Sequence, residues 1–164
     1  MKIKTIAYAL SLIFLSSCGG SSSSDTNIVD PVTNKEVSVN TAKKTLDDNK
    51  EKWALKNIKS YQYQYSVGCF CMEEMMMNKQ VTVSNGVTTE AFFLQTSEYL
   101  TPEQLTRVKN VGELFDVVEQ AINLKADKLS VTYNKDYGYP ETISIDYNTK
   151  AVDDEITYYA HDLM

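Results

Sequence analysis

Histidine is nearly absent from this sequence. His161 is the single histidine among 164 residues, and it lies three residues before the C-terminus. Catalytic systems that activate a nucleophile usually pair it with a base that a third group orients, and an isolated histidine near a terminus is more often a surface residue. The sequence also lacks the GxSxG and HExxH motifs and a glycine-rich phosphate loop. These absences exclude the commonest hydrolase and nucleotide-binding signatures and favour a protein that is not an enzyme.

Positive charge is scarce as well. Lysine and arginine supply 16 residues against 22 aspartates and glutamates, and the net charge is −6. An acidic surface repels both nucleic-acid backbones and anionic lipid headgroups. We therefore expect no nucleic-acid partner and no electrostatic adhesion to a membrane.

The N-terminal apolar run is too short to be a membrane span. It covers ten residues, from Ile6 to Leu15, whereas a permanent transmembrane helix needs about 20. It follows two lysines and leads into Ser16-Ser17-Cys18, the order of a bacterial lipoprotein signal. The sequence predicts that residues 1–17 are a signal peptide and that Cys18 is lipidated; the alternative is an ordinary cleaved signal with an incidental cysteine. Several acyl chains on Cys18 would give stable anchoring in a membrane.

The residues after Cys18 indicate where the protein resides. Aspartate directly after the lipidated cysteine is the usual inner-membrane retention signal, but this position is Gly19. The absence of aspartate favours the outer membrane, facing the periplasm, in a Gram-negative host. Residues 18–40 are rich in glycine and serine at first and polar afterwards. About 20 flexible residues have a root-mean-square reach of roughly 25 Å. We expect the segment 18–40 to be a tether that holds the domain clear of the headgroups.

Residues 41–164 are long enough for one domain with one core. Asn40 or Thr41 can cap a first helix that runs to about Asn57. Asn110 can cap a second helix, and Glu113 completes the spacing of a capping box. The apolar residues that follow recur every three or four positions, which predicts a helix with one buried face.

Strands alternate with these helices. Apolar and polar residues alternate from Tyr61 to Cys71, which predicts the clearest strand of the chain. Asn85-Gly86 is the preferred pair for a type I′ hairpin turn. Further alternation predicts strands near residues 81–83, 87–94, 129–133, 143–147 and 156–160. Short connections favour antiparallel pairing, so we predict an α+β fold: an antiparallel sheet of about five to six strands with two main helices packed on one face.

The order of several short motifs resembles a family of small bacterial lipoproteins, domain of unknown function 6174. The motifs are Trp53, Tyr61-x-Tyr63, Cys69-Phe70-Cys71, Leu114-Phe115, Tyr137-Gly138-Tyr139-Pro140 and Asp153-Asp154-Glu155. The resemblance covers most of the chain from Trp53 to the C-terminus. It implies an exported, usually lipid-anchored domain to which no reaction and no catalytic residue is assigned.

Cys69 and Cys71 are the main chemical candidates. An oxidising compartment favours a disulfide between them. Side chains two positions apart on a strand are about 6.5–7 Å apart, however, whereas the Cβ atoms of a disulfide are about 3.8 Å apart. A disulfide therefore requires a bulge or turn here, and Gly68 makes such a distortion easier.

A soft-metal site is the second hypothesis for this segment. Four methionines follow the two cysteines, and thiolates and thioethers are the ligands that select Cu(I). The candidate ligands are Cys69, Cys71, Met72, Met75, Met76 and Met77. Glu73 and Glu74 interrupt the cluster, and the methionines also suit an adaptable apolar contact. Thiol–disulfide exchange is a third hypothesis, although one intervening residue on a strand differs from the usual two.

Tyrosine is abundant, and three tyrosines share one face of the first predicted strand. Tyr61, Tyr63 and Tyr65 could form a binding platform, because tyrosine combines a rigid ring with a polar tip. Alternatively, they pack under the helices. The whole sequence leads us to expect a lipid-anchored envelope lipoprotein, without a cofactor, that binds another envelope component. The alternative function is copper binding or a redox role at Cys69, Cys71 and the adjacent methionines.

Overall fold

The computed structural model of the protein describes the backbone of residues 31–164 and the side chains of residues 38–164. Within this part the elements, in chain order, are α1 (Pro31–Lys56), β1 (Tyr61–Cys69), α2 (Glu73–Met76), β2 (Lys79–Ser84), β3 (Val87–Phe93), α3 (Pro102–Leu105), α4 (Val111–Asn123), β4 (Lys128–Tyr133), β5 (Pro140–Asp146) and β6 (Ile156–His161). The predicted α+β class is confirmed. The predicted signal peptide and Cys18 lie outside the described residues.

The six strands form one sheet in the order β3-β2-β1-β6-β5-β4, and each neighbouring pair is antiparallel. The first and last strands pair at its centre, with Tyr65 opposite Ala160. This pairing joins the meander β1-β2-β3 to the meander β4-β5-β6. The two-residue turn between β2 and β3 uses positive φ at both Asn85 and Gly86, as the sequence predicts.

Helix α4 shows how the local sequence produces an element. The side chain of Asn110 accepts a hydrogen bond from the backbone N–H of Glu113, and the Glu113 side chain accepts one from the backbone N–H of Asn110. This reciprocal cap satisfies two N–H groups that the helix itself leaves unpaired. The apolar face is buried through Val111, Leu114, Phe115, Val117, Val118, Ala121 and Ile122. Burying each large apolar side chain contributes about 1.5–3 kcal/mol relative to exposure.

Helices α1 and α4 pack on each other on one side of the sheet. Leu46 of α1 is completely buried, and the Trp53 ring lies edge-on to the rings of Tyr61 and Tyr139 at 5.5 and 6.2 Å. The opposite face of the sheet carries mainly hydroxyl and amide side chains, such as Gln64 and Ser66, and remains partly exposed. In the described part of the chain, no helix combines the length and the hydropathy required to cross a bilayer.

Several boundaries differ from those expected from the sequence, among them the start of α1 and the end of β1. Helix α1 begins at Pro31 rather than at Asn40 or Thr41, so residues 31–40 of the expected tether are helical. Proline is well suited to a first helical position, because its missing N–H would have no partner there. Strand β1 ends at Cys69 instead of Cys71, because the chain turns sharply at that point.

Candidate functional site

The turn after β1 is closed by a bond between Cys69 and Cys71. Cys69 is the last residue of β1 and is paired with Ile156 of β6. The Cα atoms of the two cysteines are 5.3 Å apart, a separation within the usual range for a disulfide. The strand ends before Cys71, and this change of direction removes the geometric obstacle that an extended strand would impose. We call residues 69–71 the disulfide turn.

Phe70 is held outside the protein by the disulfide turn. Its side chain is 84% exposed, although it belongs to one of the most apolar residue types. The neighbouring residue on each side is a bonded cysteine, and Cys69 pairs with Ile156 in the sheet, so the backbone that carries the ring is restrained. Met72 and Met76 are also exposed, at 51% and 44%. We refer to the exposed side chains of Phe70, Met72 and Met76 as the Phe70 surface.

The methionines lie on and beside the short helix α2, which polar contacts hold in place. The carboxylate of Glu74 accepts hydrogen bonds from Arg107 at 3.1 Å and from the side-chain amide of Gln104 at 2.9 Å. Arg107 also pairs with Glu103 at 3.0 Å. These contacts tie α2 to α3 and to the residues that follow it. The methionine segment is therefore a fixed part of the surface.

Lys79 lies beneath α2 and is the residue that sequence reasoning missed. It is only 4% exposed, and its ammonium group donates hydrogen bonds to the carbonyl oxygens of Met75 and Met77. The ring of Phe93 lies 5.4 Å from the same nitrogen. Burial lowers the pKa of Lys79 to about 8, although the charge of Glu74 opposes this shift. The sequence contains an indication of this burial, because Lys79 occupies an inward position in the alternation with Val81 and Val83.

The space around Lys79 is small. A cavity of about 20 Å³ lies between Tyr65, Met75, Lys79 and Phe93, which is enough for about one water molecule. The hydroxyl oxygen of Tyr65 is buried. This cavity is too small for an organic ligand, so the contacts of Lys79 position α2 and the methionines rather than a substrate.

Cu(I) coordination meets two obstacles in this arrangement. The sulfur atoms of Cys69 and Cys71 are bonded to each other, so neither is a thiolate ligand. The thioether of Met72 lies 3.9 Å from the guanidinium of Arg107, a cation that would repel a metal ion. Residues 38–164 contain no group of three or more histidine, cysteine or carboxylate side chains arranged to hold a metal. Cys69 and Cys71 could therefore join Met75, Met76 and Met77 as thiolate ligands only after the disulfide had been reduced.

Tyr61, Tyr63 and Tyr65 lie in the core between the sheet and the helices. They are 7%, 0% and 3% exposed, so their rings offer almost no surface to a ligand. The Tyr61 hydroxyl accepts a hydrogen bond of 2.9 Å from the backbone N–H of Val111, and the Tyr63 hydroxyl donates to the Lys109 carbonyl. Burial raises the pKa of Tyr61 to about 12. These tyrosines anchor the beginning of α4 on the sheet.

His161 is exposed on β6, and its ring centre lies 6.2 Å from that of Tyr159. The two cysteines in the described part of the chain, Cys69 and Cys71, both belong to the disulfide turn. Cys18, the predicted lipidation site, lies outside the described residues.

Comparison with known proteins gives one match. The family model described as "Family of unknown function (DUF6174)" matches residues 45–164. No curated protein and no solved structure matches the chain. The matched segment begins within α1 and includes all six strands together with the disulfide turn. The chain therefore belongs to the DUF6174 family.

Proposed function

We propose that this protein is an envelope lipoprotein whose domain binds another envelope protein through the Phe70 surface. Cys18 carries the lipid in this proposal, and the location is the outer membrane, facing the periplasm, if the host is Gram-negative. The observation that carries the proposal is the exposure of Phe70 on a turn that the Cys69–Cys71 bond closes.

The energetics favour use of this ring in binding. Covering a fully exposed phenylalanine contributes about 1.5–3 kcal/mol, and a rigid turn loses little conformational freedom when it binds. Aromatic residues are common anchors of protein interfaces. An exposed apolar side chain held in one position therefore has the properties of an interface anchor.

Met72 and Met76 give the surface adaptability. Methionine side chains are flexible and polarizable, and they pack against partners of different shape. The contacts of Glu74 and Lys79 hold the backbone under these methionines. A fixed backbone that carries flexible apolar side chains suits contact with a protein groove.

Photo-crosslinking in intact cells tests the binding role. A photoreactive phenylalanine analogue replaces Phe70 in the full-length chain, and products are identified by mass spectrometry. We expect one dominant product with a different envelope protein. The matched control places the same analogue at Leu55, which is 78% exposed on α1. Equal products from the two positions, or no protein product from position 70, would contradict the proposal.

The anchor is tested separately. Mass spectrometry of the native protein should find acyl chains on an N-terminal Cys18, and Cys18→Ser should release the protein from the membrane fraction. An unmodified Cys18 thiol, or a mature chain that begins before Cys18, would overturn the proposed location.

A further inference from the structure

The two edge strands of the sheet, β3 and β4, differ in whether another segment pairs with their outer side. At the β3 edge, the chain returns after the strand and pairs with it: the N–H of Phe93 donates to the carbonyl of Glu98, and the N–H of Leu100 donates to the carbonyl of Ala91. The rings of Phe92 and Tyr99 also meet at 5.7 Å. The chain therefore covers the β3 edge itself at residues 91–93.

The β4 edge lacks such a cover in the part of the chain that the structure describes. There, β4 pairs with β5 on one side, and no backbone hydrogen bond joins its other side to another segment. Proteins usually protect an open edge with charge, proline or a covering segment. Within β4 the charged residue is Lys128, whose ammonium group lies 2.9 Å from the Asp146 carboxylate while its side chain stays 71% exposed. It lies at the first position of the strand, so residues 129–133 of the edge carry no charge.

A partly apolar groove runs along the same strand. The inward side chains of β4 are only half-buried, whereas Ile143 and Ile145 on the adjacent β5 are 1% exposed. Two neighbouring cavities of about 400 and 120 Å³ lie between α1, the second half of α4 and β4, and both contact Ala42 and Leu129. We call this space the β4 groove. Its apolar lining includes Val39, Ala42, Leu129, Val131 and Tyr133, and the larger cavity is also lined by Ser38, Lys125, Asp127 and Lys128.

The open edge and the groove together specify the chemistry of an occupant. The edge requires an extended backbone, and the groove requires an apolar side chain at every second position. A lipid chain would fill the groove but would leave the backbone groups of β4 unpaired. The sequence of β4 itself has the required pattern, because Leu129, Val131 and Tyr133 alternate with polar residues.

We propose that β4 of a second copy of this chain pairs antiparallel with β4 and covers the groove. Residues directly opposite in an antiparallel pair lie on the same face, so inward residues must oppose inward residues. In one register each of the three inward residues faces an inward residue of the second copy. Val131 then lies opposite Val131 of the second copy, and Leu129 lies opposite its Tyr133. This arrangement is a closed two-fold contact, and it joins two six-stranded sheets into one continuous sheet.

The dimer changes how the chain binds other molecules. It presents two copies of the Phe70 surface on one rigid body, so a partner with two sites would be held more tightly than by one copy. The net charge of −6 opposes association of two copies. Association should therefore strengthen as added salt screens the repulsion.

Crosslinking in intact cells tests the dimer directly. A photoreactive phenylalanine analogue replaces Tyr133 in the full-length chain, and we expect a product with twice the mass of the chain that contains only this protein. The control places the analogue at Val87, which is exposed near the opposite edge. A product with a different protein, a product with lipid alone, or no product from position 133 would overturn the proposal.

Two further experiments separate pairing from folding. Val131→Lys places two ammonium groups opposite each other at the two-fold axis, and we expect the dimer product to fall about tenfold or more, while Val131→Thr retains it. Ser130→Cys and Thr132→Cys, carried by differently tagged copies in one cell, lie opposite each other in this register and should form an intermolecular disulfide. The pair Ser130→Cys and Ser144→Cys, again on separate copies, should form no intermolecular disulfide, because position 144 lies on β5, away from the contact. Equal yields from the two cysteine pairs, or an undiminished product from a folded Val131→Lys protein, would contradict the register.

Discussion

The ammonium nitrogen of Lys79 lies 2.7 Å from the carbonyl oxygen of Met77. A buried lysine thus holds the end of the methionine segment from below, and the exposed side chains of Met72 and Met76 depend on that support. Removing a lysine from water is costly unless its charge is paired. Here two backbone carbonyls and the ring of Phe93 replace part of the lost hydration.

This burial predicts a pH dependence of stability. The pKa of Lys79 is lowered from 10.5 to about 8 in the folded protein, so between these values unfolding takes up a proton. The free energy of unfolding should therefore rise with pH above about pH 8, by about 1 kcal/mol at pH 9. Urea unfolding measured from neutral pH to about pH 9 should show this rise in the native protein and lose it in Lys79→Met. Above about pH 9 the buried tyrosines, whose pKa values burial raises, oppose the rise, because their hydroxyls ionise more readily in the unfolded chain. The exposed Lys150→Met serves as control and should keep the slope; equal slopes in the native and Lys79→Met proteins would show that this amine is not buried.

Removal of the disulfide should affect binding more than stability. The bond closes a ring of only three residues, so Cys69→Ser/Cys71→Ser should cost about 1–2 kcal/mol of stability. The same change frees Phe70 to move, and we expect the crosslinked product from position 70 to fall severalfold. Thermal unfolding and crosslinking of the same variant make the comparison. An unfolded variant, or one that crosslinks as well as the native protein, would contradict the positioning role of the turn.

Gly138 should tolerate no side chain. Its φ is +85°, and an added Cβ would lie 2.8 Å from the Asn49 carbonyl and 3.0 Å from the Cβ of Lys52. Gly86 is a matched control, because its φ is +80° but an added Cβ would meet no atom within 4 Å. Gly86→Ala should cost about 1–2 kcal/mol from backbone strain alone, and Gly138→Ala should cost at least about 1 kcal/mol more, because the loop must move away from α1. Chemical denaturation of both variants gives the difference; equal losses would mean that α1 does not pack on this loop.

The oxidised protein should not bind Cu(I) stoichiometrically. The thiols of Cys69 and Cys71 are consumed by the disulfide, and thioethers alone are weak ligands compared with thiolates. Anaerobic titration against a Cu(I) chelator of known affinity measures this in the oxidised and reduced proteins. Tight one-to-one binding by the reduced protein that is lost in Cys69→Ser would support the alternative copper function.

The local elements were largely predictable from the sequence. The alternation from Tyr61 onward, the Asn85-Gly86 turn and the Asn110–Glu113 cap all occur as expected, because each depends on residues close together in the chain. The burial of Lys79 was not predicted, because a lysine on a strand usually faces water. Only the packing of α2 over β2 makes its inward position tolerable.

The sequence by itself determined the α+β class, the hairpin turn and the membership of the DUF6174 family, because strand alternation, turn residues and motif order are written into neighbouring positions. The tertiary structure alone decided that β1 pairs with β6, that the three tyrosines are core residues and that Phe70 is exposed. It also decided that, within residues 31–164, no segment pairs with the outer side of β4. These features depend on contacts between segments far apart in the chain. Such contacts form only when several apolar faces are buried together, and no local pattern specifies which distant strands become neighbours.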